Sequence, residues 1–263
     1  MFAGAAAAQQ ETADRVIVEL TDPGKPVFLS AGLINGGITV VGYDGKDVIV
    51  EAKAGMVKLD KHDRKGGKYE GMTRLPVSSS SLTVEEQDNR IDIDTDSWAH
   101  PVDLMIRVPN KAFLNLSCIN SGDIKVENIT GDIEASNING AVTLLKISGS
   151  VVASAHNKDL TVTFDAINPE KDMSFSSFNG DVDITFPAPL KALVKIKTVQ
   201  GDIFTDFEVK EIKNPEQVIQ KNKRDSDGKY RVEIDRSFWG TINGGGQELH
   251  FSNYNGDIYI REK

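Results

Sequence analysis

Three aspartates at alternate positions are the side chains in this sequence most suggestive of chemistry. Asp92, Asp94 and Asp96 lie on one face if the segment is a strand, and Asp103 follows Asp92 by eleven residues. Carboxylates at these positions resemble in outline the loop of an EF-hand calcium site. The sixth position of such a loop is not glycine here, and the twelfth is aspartate instead of glutamate. Because isoleucines alternate with the acids, the pattern favours a strand with an acidic outer face over a metal site.

A second set of carboxylates follows glycine at recurring positions. Carboxylates at equivalent turns of a stacked repeat are suited to calcium, but the glycine-rich signature of calcium-loaded β-rolls is absent. An aspartate after glycine also accepts hydrogen bonds from turn amides. We therefore interpret these residues as turn residues: Asp123, Asp132, Asp181, Asp202 and Asp257.

Other catalytic patterns are missing from the sequence. The four histidines have no metal-ligand spacing. No serine occupies a G-x-S-x-G turn and no phosphate-binding G-x-x-x-x-G-K-[ST] loop is present. The sequence predicts no catalytic residue and no cofactor, and Asp92, Asp94 and Asp96 are the only candidate metal ligands.

Four aromatic residues near the end of the sequence are expected to be exposed: Phe238, Trp239, Tyr254 and Tyr259. Aromatic rings stack on sugars, but they also cover the open apolar end of a repeat protein. The capping interpretation is favoured. Trp239, Tyr254 and Tyr259 remain candidates for surface binding.

A nine-residue repeat positions most of these side chains. Its units read GDIKVENIT, GDIEASNIN, GAVTLLKIS and GSVVASAHN, and they start at Gly122, Gly131, Gly140 and Gly149. The third and fifth residues of each unit are apolar, as the buried face of a strand requires. The eighth is isoleucine in three units and His156 in the last, which departs from an otherwise apolar position.

Related segments surround Gly36, Gly180, Gly201 and Gly256, each with an apolar residue two positions before and two after the glycine. A meander of hairpins and a β-solenoid both suit short strands punctuated by glycine. The fixed register favours the solenoid, because equivalent residues then stack from coil to coil. We predict an all-β, single-stranded β-solenoid or β-helix, whose handedness the sequence leaves open, with right-handed favoured.

This register predicts the core. Ile133 should be buried between its equivalents from other units. Cys118 alternates with Leu114 and Leu116, so the pattern predicts a buried thiol instead of a reactive one.

Composition agrees with strands and excludes some partners. The 263 residues include 23 Ile and 23 Val against 15 Leu, an excess of β-branched residues. With 30 Lys and Arg against 39 Asp and Glu, the net charge is −9. An acidic chain does not suit nucleic acid or anionic lipid, so neither is a predicted partner.

The sequence predicts one domain. Residues 1–10 are interpreted as an export-signal remnant or a disordered tail, because Ala6–Ala8 before Gln9 resemble the end of a signal peptide. Residues 11–263 form a single solenoid with a polar insertion at about 209–231. No stretch approaches the length of an apolar transmembrane helix, so none is predicted. The expected location is periplasmic, outer-surface or secreted.

Three segments resemble a known family. They are the opening INGGITVVGYDGKDVIVEAK, the block LNLSCINSGDIKVENITGDIEASNINGAVTLL after Val108 and Pro109, and the end from Gly240 to Arg261. Together they resemble the bacterial "putative adhesin" family of toast-rack domains, whose function is unknown. The resemblance implies a single-stranded β-helix in exported or envelope proteins and no established catalytic residues. His156 and the polar insertion depart from the family pattern.

These observations predict a non-catalytic exported or cell-envelope scaffold that acts by adhesin-like binding or by envelope sensing. A glycan or an envelope protein is the expected partner, and the oligomeric state stays open. The alternative is a polysaccharide lyase or hydrolase, since parallel β-helices also support that chemistry. Such an enzyme needs clustered carboxylates in a groove, and only Asp92, Asp94 and Asp96 are candidates.

Overall fold

The computed structural model describes residues 14–54, 82–95, 98, 101–213 and 237–263. Within these ranges the chain forms strands and no helix. The strands are β1 (Asp14–Glu19), β2 (Val27–Asn35), β3 (Ile38–Tyr43), β4 (Asp47–Ala54), β5 (Leu82–Gln87), β6 (Arg90–Thr95), β7 (Val102–Pro109), β8 (Ala112–Asn120), β9 (Ile124–Thr130), β10 (Ile133–Asn137), β11 (Val142–Gly149), β12 (Val151–Ala155), β13 (Leu160–Ile167), β14 (Met173–Asn179), β15 (Val182–Phe186), β16 (Ala192–Gln200), β17 (Ile203–Thr205), β18 (Val209–Glu211), β19 (Phe238–Ile242), β20 (Gln247–Asn255) and β21 (Ile258–Glu262).

Two large sheets contain all of these strands. Sheet A has the order β1-β4-β7-β3-β9-β11-β13-β15-β21-β17, and sheet B has the order β18-β19-β16-β20-β14-β12-β10-β8-β2-β6-β5. Pairing is parallel through the middle of both sheets and antiparallel only towards their ends. The predicted all-β solenoid is confirmed, and the hairpin meander is excluded.

The nine-residue unit is half a coil. Successive units alternate between the sheets, so each unit stacks on the unit two positions away. In sheet B, Ile133 pairs with Leu114 on one side and Val151 on the other. In sheet A, Val142 lies between Ile124 and Leu160. The repeat therefore generates two ladders, one in each sheet.

The order of coils in space differs from their order in the sequence. The last coil, β20 and β21, lies between the coil of β14 and β15 and the coil of β16 and β17. Asn255 consequently pairs with Asn179 on one side and Gln200 on the other. The units at Gly180 and Gly201 resemble each other in sequence, but they are separated by a coil from the end of the chain.

The core lies between the inward faces of the two sheets. Ile133 and Cys118 are both 2% exposed, as the alternation predicts. Four phenylalanines from both sheets pack against one another, with ring centroids 5.2 to 6.5 Å apart: Phe164, Phe175, Phe186 and Phe251. Apolar side chains continue along the whole stack and form one core.

The predicted polar insertion is only partly described. Its first residues form β18, which pairs antiparallel with β19, so the insertion begins as a strand. Residues 214–231 of the insertion and the Ala-rich residues 1–10 lie outside the described ranges.

Candidate functional site

Seven exposed side chains form a continuous line on the outer side of sheet B, where its strands end. Each lies at the end of a different strand or directly after it, at the position just before the asparagine or glutamine of the turn. We call them the turn stripe: Ile34, Ile119, Ile138, His156, Phe178, Tyr254 and Val199. The six apolar or aromatic members other than the histidine are 40% to 56% exposed. With a strand spacing of about 4.8 Å, the stripe is about 29 Å long.

A ladder of asparagine amides runs beside the turn stripe. The Asn139 amide donates to Asn120, the Asn157 amide to Asn139, and the Asn179 amide to Asn157, and the Asn255 amide completes the series by donating to Asn179. Donor–acceptor distances are 2.9 to 3.4 Å. Because each amide bonds to the next coil, these turns are held in register.

The aromatic members of the turn stripe stack on one another. Ring centroids are 5.0 Å apart between His156 and Phe178 and 4.6 Å apart between Phe178 and Tyr254, with nearly parallel planes. Each inner ring face is covered by its neighbour, so the stripe presents mainly ring edges and aliphatic methyl groups to solvent. Such a surface fits another apolar surface better than it fits a sugar ring.

The Gly-Asp carboxylates join neighbouring coils. Asp123 accepts from the backbone amide of Ala141 at 3.0 Å, and Asp181 accepts from the amide of Asp257 at 2.9 Å. The Asp257 carboxylate in turn accepts from the amide of Asp202 at 2.8 Å. The acceptor role predicted from the sequence is present, although the amides belong to the next coil and not to the aspartate's own turn. Among the described residues no cluster of three metal-ligating side chains occurs.

Two of the three aspartates considered as candidate metal ligands, Asp92 and Asp94, lie on β6. Asp92 and Asp94 both project outward, as predicted for an acidic strand face, and Asp96 is outside the described ranges. Asp92 lies beside Ser30 of β2. Two neighbouring carboxylates on an open strand face give fewer oxygen ligands than calcium takes.

The three aromatic candidates for surface binding do not come together. Trp239 is 3% exposed, so its assignment as an exposed binding residue is wrong. It pairs with Lys195, whose ammonium lies 4.8 Å from the indole ring centroid. Because neighbouring groups bury the ring, it cannot contact a ligand from solvent.

The other two candidates lie on different sheets. Tyr254 belongs to the turn stripe of sheet B, whereas Tyr259 lies on β21 of sheet A and stacks on Phe204, with ring centroids 5.2 Å apart. The Tyr259 hydroxyl donates to Asp257, which raises the pKa of the phenol. Neither tyrosine caps the solenoid, because their coil lies one coil inside the end of the stack.

A family model matches the centre of the chain. Residues 118–243, which include the nine-residue units and the strands up to β19, match the family described as Toastrack DUF4097. This segment is similar to the toast-rack family. The match confirms the resemblance seen in the repeat block.

Two solved bacterial structures align with almost the whole chain. A "putative cell adhesion protein" from Clostridium sporogenes is 11% identical, with a TM-score of 0.44 over 96% of this chain and 100% of that chain. A "putative adhesin" from Bacteroides fragilis is 14% identical, with a TM-score of 0.39 over 97% and 98% of the two chains. No curated protein matches the chain. The fold assignment rests on the strand pairing and on the toast-rack match.

The turn stripe corrects one interpretation of the toast-rack repeat. The eighth position of the unit was expected to be a buried apolar position that His156 interrupts. Ile129 and Ile147 are indeed buried in sheet A, but Ile138 and His156 are exposed in sheet B. Because alternate units belong to different sheets, the same unit position has two environments. His156 is therefore an ordinary member of an exposed line.

A sequence signal for the turn stripe exists. The apolar residue two positions before the glycine recurs in the segments at Gly36, Gly140, Gly180 and Gly256. The direction of this side chain depends on which sheet holds the strand, so its recurrence alone does not indicate exposure. Phe28 and Phe113, two further outward aromatics of sheet B, have no repeat signature and were missed.

Proposed function

We propose that this chain is a non-catalytic scaffold of the bacterial cell envelope that binds an envelope protein through the turn stripe. The observation that supports the proposal is the stripe itself: seven aligned exposed positions, of which six hold apolar or aromatic residues. Scattered exposed apolar residues are ordinary, but a contiguous line of them is typical of an interaction surface.

The chemistry of the stripe supports a protein as the partner. Its rings are stacked on one another, so few ring faces are free for sugars. Methyl groups and ring edges pack well against the apolar side chains of another protein, and the adjacent asparagine ladder supplies polar groups for the rim. The geometry is that of an elongated contact, one residue wide and several coils long.

The envelope location is part of the proposal. It is supported by the toast-rack resemblance, which implies exported or envelope-associated proteins, and by the Ala6–Ala8 segment before Gln9. In the parts of the chain that the structure describes, no helix is long and apolar enough to cross a membrane.

The test measures binding of the purified protein to envelope fragments of the encoding bacterium. We expect saturable co-sedimentation that disappears when the fragments are first shaved with protease, since the partner is a protein. The double variant Ile138→Ser/Phe178→Ser should weaken binding by about tenfold or more. Met105→Ser/Leu145→Ser is the matched control, because it removes two exposed apolar side chains from sheet A.

Three results would overturn the proposal. They are binding that survives protease treatment, equal binding by the stripe variant and the wild type, and the absence of saturable binding. Analytical ultracentrifugation of the free protein completes the test, because a dimer that the stripe variant dissolves would assign the stripe to self-association instead.

A further inference from the structure

A depression of about 380 Å³ lies on the outer face of sheet B, away from the turn stripe. Six of its lining residues matter to the argument: Phe28, Arg90, Phe113, Asn115, Asp132 and Glu134. They come from β2, β6, β8 and β10 and from the turn before β10. We call this depression the Phe113 groove. Its volume lies within the range of small-ligand sites.

The groove is bounded by a stack of three side chains that ends at the Phe113 ring. The Arg90 guanidinium lies 4.8 Å above the centroid of Phe28, and Phe28 stacks on Phe113 at 4.8 Å with an interplanar angle of 18°. The strand order β6-β2-β8-β10 places Phe113 last in this stack. The next position belongs to Asp132, and Ser150 follows in the coil beyond. The Phe113 ring is partly exposed and lines the depression, with the short Asp132 side chain as its neighbour on the β10 side.

Polar groups surround this ring. Asp132 accepts from the Ser150 hydroxyl and from the Lys171 ammonium, both at 2.5 Å, so its carboxylate is held in place. Burial raises the pKa of Asp132, but these hydrogen bonds outweigh it and the pKa lies below its ordinary value. Asn115 and Glu134 pair across β8 and β10 and project outward beside the groove.

The charges of the groove disfavour an anionic ligand. Asp92, Asp132 and Glu134 supply three carboxylates. The two cations nearby are already engaged, Arg90 with the Phe28 ring and Lys171 with Asp132. The three carboxylates exceed the two cations by one negative charge, so the groove repels an incoming carboxylate or sulfate. A peptide strand has no edge to pair with here, because β8 is bonded to β2 on one side and β10 on the other.

We propose that the Phe113 groove binds an uncharged pyranose ring of a glycan. The apolar face of the sugar, formed by its C–H groups, stacks on the Phe113 ring. Its hydroxyls donate to the carboxylates of Asp132 and Glu134, and charged acceptors strengthen such hydrogen bonds. The Asn115 amide supplies a donor for a ring or hydroxyl oxygen. This site is separate from the turn stripe and takes a different class of ligand.

The test titrates the full chain with neutral oligosaccharides of glucose, galactose, mannose and N-acetylglucosamine, and with an oligouronate as the charged counterpart. Isothermal calorimetry and saturation-transfer NMR measure binding. We expect at least one neutral sugar to bind saturably, with a Kd of about 1 mM or tighter, and the uronate to bind more weakly. Phe113→Ala should weaken binding about tenfold, and Phe113→Trp should preserve it by providing a larger ring face.

Two further variants keep the test decisive. Phe204→Ala is the matched control, since it removes an exposed, stacked ring from sheet A. Glu134→Gln changes only an exposed rim carboxylate, so it tests the groove even if Phe113→Ala fails to fold. The proposal is overturned if no neutral sugar saturates, if the uronate binds as tightly, if Phe204→Ala weakens binding as much as Phe113→Ala, or if neither groove variant weakens it. The envelope-fragment assay with the stripe variant is independent of all these outcomes.

Discussion

Burial determines the chemistry of the single cysteine. Cys118 lies on the inward face of β8, in the same row of sheet B as Leu33 and Asn137 of the neighbouring coils. Loss of hydration disfavours the thiolate, and the carboxylates of Asp103 and Asp123 disfavour it further. These effects raise the pKa of the Cys118 thiol to about 12.

We expect Cys118 to resist alkylation in the folded protein. A rise in the pKa from 9.0 to about 12 lowers the thiolate fraction at pH 8 by about a thousandfold. Iodoacetamide should therefore label the native protein far more slowly than the urea-unfolded protein, as mass spectrometry of the intact chain measures. Similar labelling rates in the two states would show that the thiol is accessible.

The turns bring the backbones of neighbouring coils into close contact. Gly122 has φ +118°, and a Cβ atom at this position would lie 2.3 Å from the carbonyl carbon of Gly36 in the next coil. Gly244, in the turn after β19, also has a positive φ of +86°, but a Cβ atom there would meet nothing within 4 Å. A comparison of the two glycines therefore distinguishes the cost of a positive φ from the cost of close contact between coils.

We predict that Gly122→Ala destabilises the protein much more than Gly244→Ala. Strain alone should cost about 1 kcal/mol at Gly244, whereas strain together with displacement of a neighbouring backbone should cost about 3 kcal/mol or more at Gly122. Urea unfolding followed by circular dichroism measures both. Equal losses would mean that the coils separate easily at this turn.

Inward and outward positions of adjacent strands provide a second comparison. Ile133 of β10 is 2% exposed, whereas Val152 of β12 is 50% exposed. We predict that Ile133→Asp lowers the free energy of unfolding by about 4 kcal/mol, because an unpaired carboxylate would enter the apolar ladder. Val152→Asp should change it by less than about 1 kcal/mol. If the outward variant is the more damaging one, the inferred register of sheet B is off by one residue.

In the described part of the solenoid, the carboxylates lie on turns and on outward strand faces. Asp92 and Glu134 are separated by three strand spacings, about 14 Å, whereas glycosidases hold their two carboxylates about 5 to 10 Å apart. Asp92 and Asp94 are closer, but they project side by side from one strand. Asp132 and Glu134 are also close to each other. Burial raises the pKa of Asp132, but its hydrogen bonds from Lys171 and Ser150 keep that pKa below its ordinary value, which does not suit a general acid. This arrangement disfavours the lyase or hydrolase alternative.

We therefore expect no turnover of any polysaccharide, with or without calcium. The assay measures reducing ends and unsaturated products released from a glycan panel, for the wild type and for Asp92→Asn/Asp94→Asn. Product release by the wild type that the double variant abolishes would make the protein an enzyme and place its site on β6. Binding of a glycan without release agrees with the Phe113 groove.

Local features of the fold could be predicted from the sequence. The alternation around Ile133 and Cys118 correctly indicates which side chains face inward, because strand geometry alone sends successive side chains to opposite faces. The nine-residue glycine period likewise indicates a regular stack of short strands. These properties depend on neighbours in the chain, so a short segment contains all the information needed.

Only the tertiary structure decides which coils are neighbours and which surfaces their outer faces form together. The pairing of β14 with β20 joins residues 76 apart, such as Asn179 and Asn255, and no local pattern specifies it. The same unit position is buried at Ile147 and exposed at Ile138, because the sheet that receives a strand determines which face meets the core. The turn stripe and the Phe113 groove both consist of residues from several coils. Their existence depends on parallel stacking over long sequence distances, which burial of the shared core stabilises.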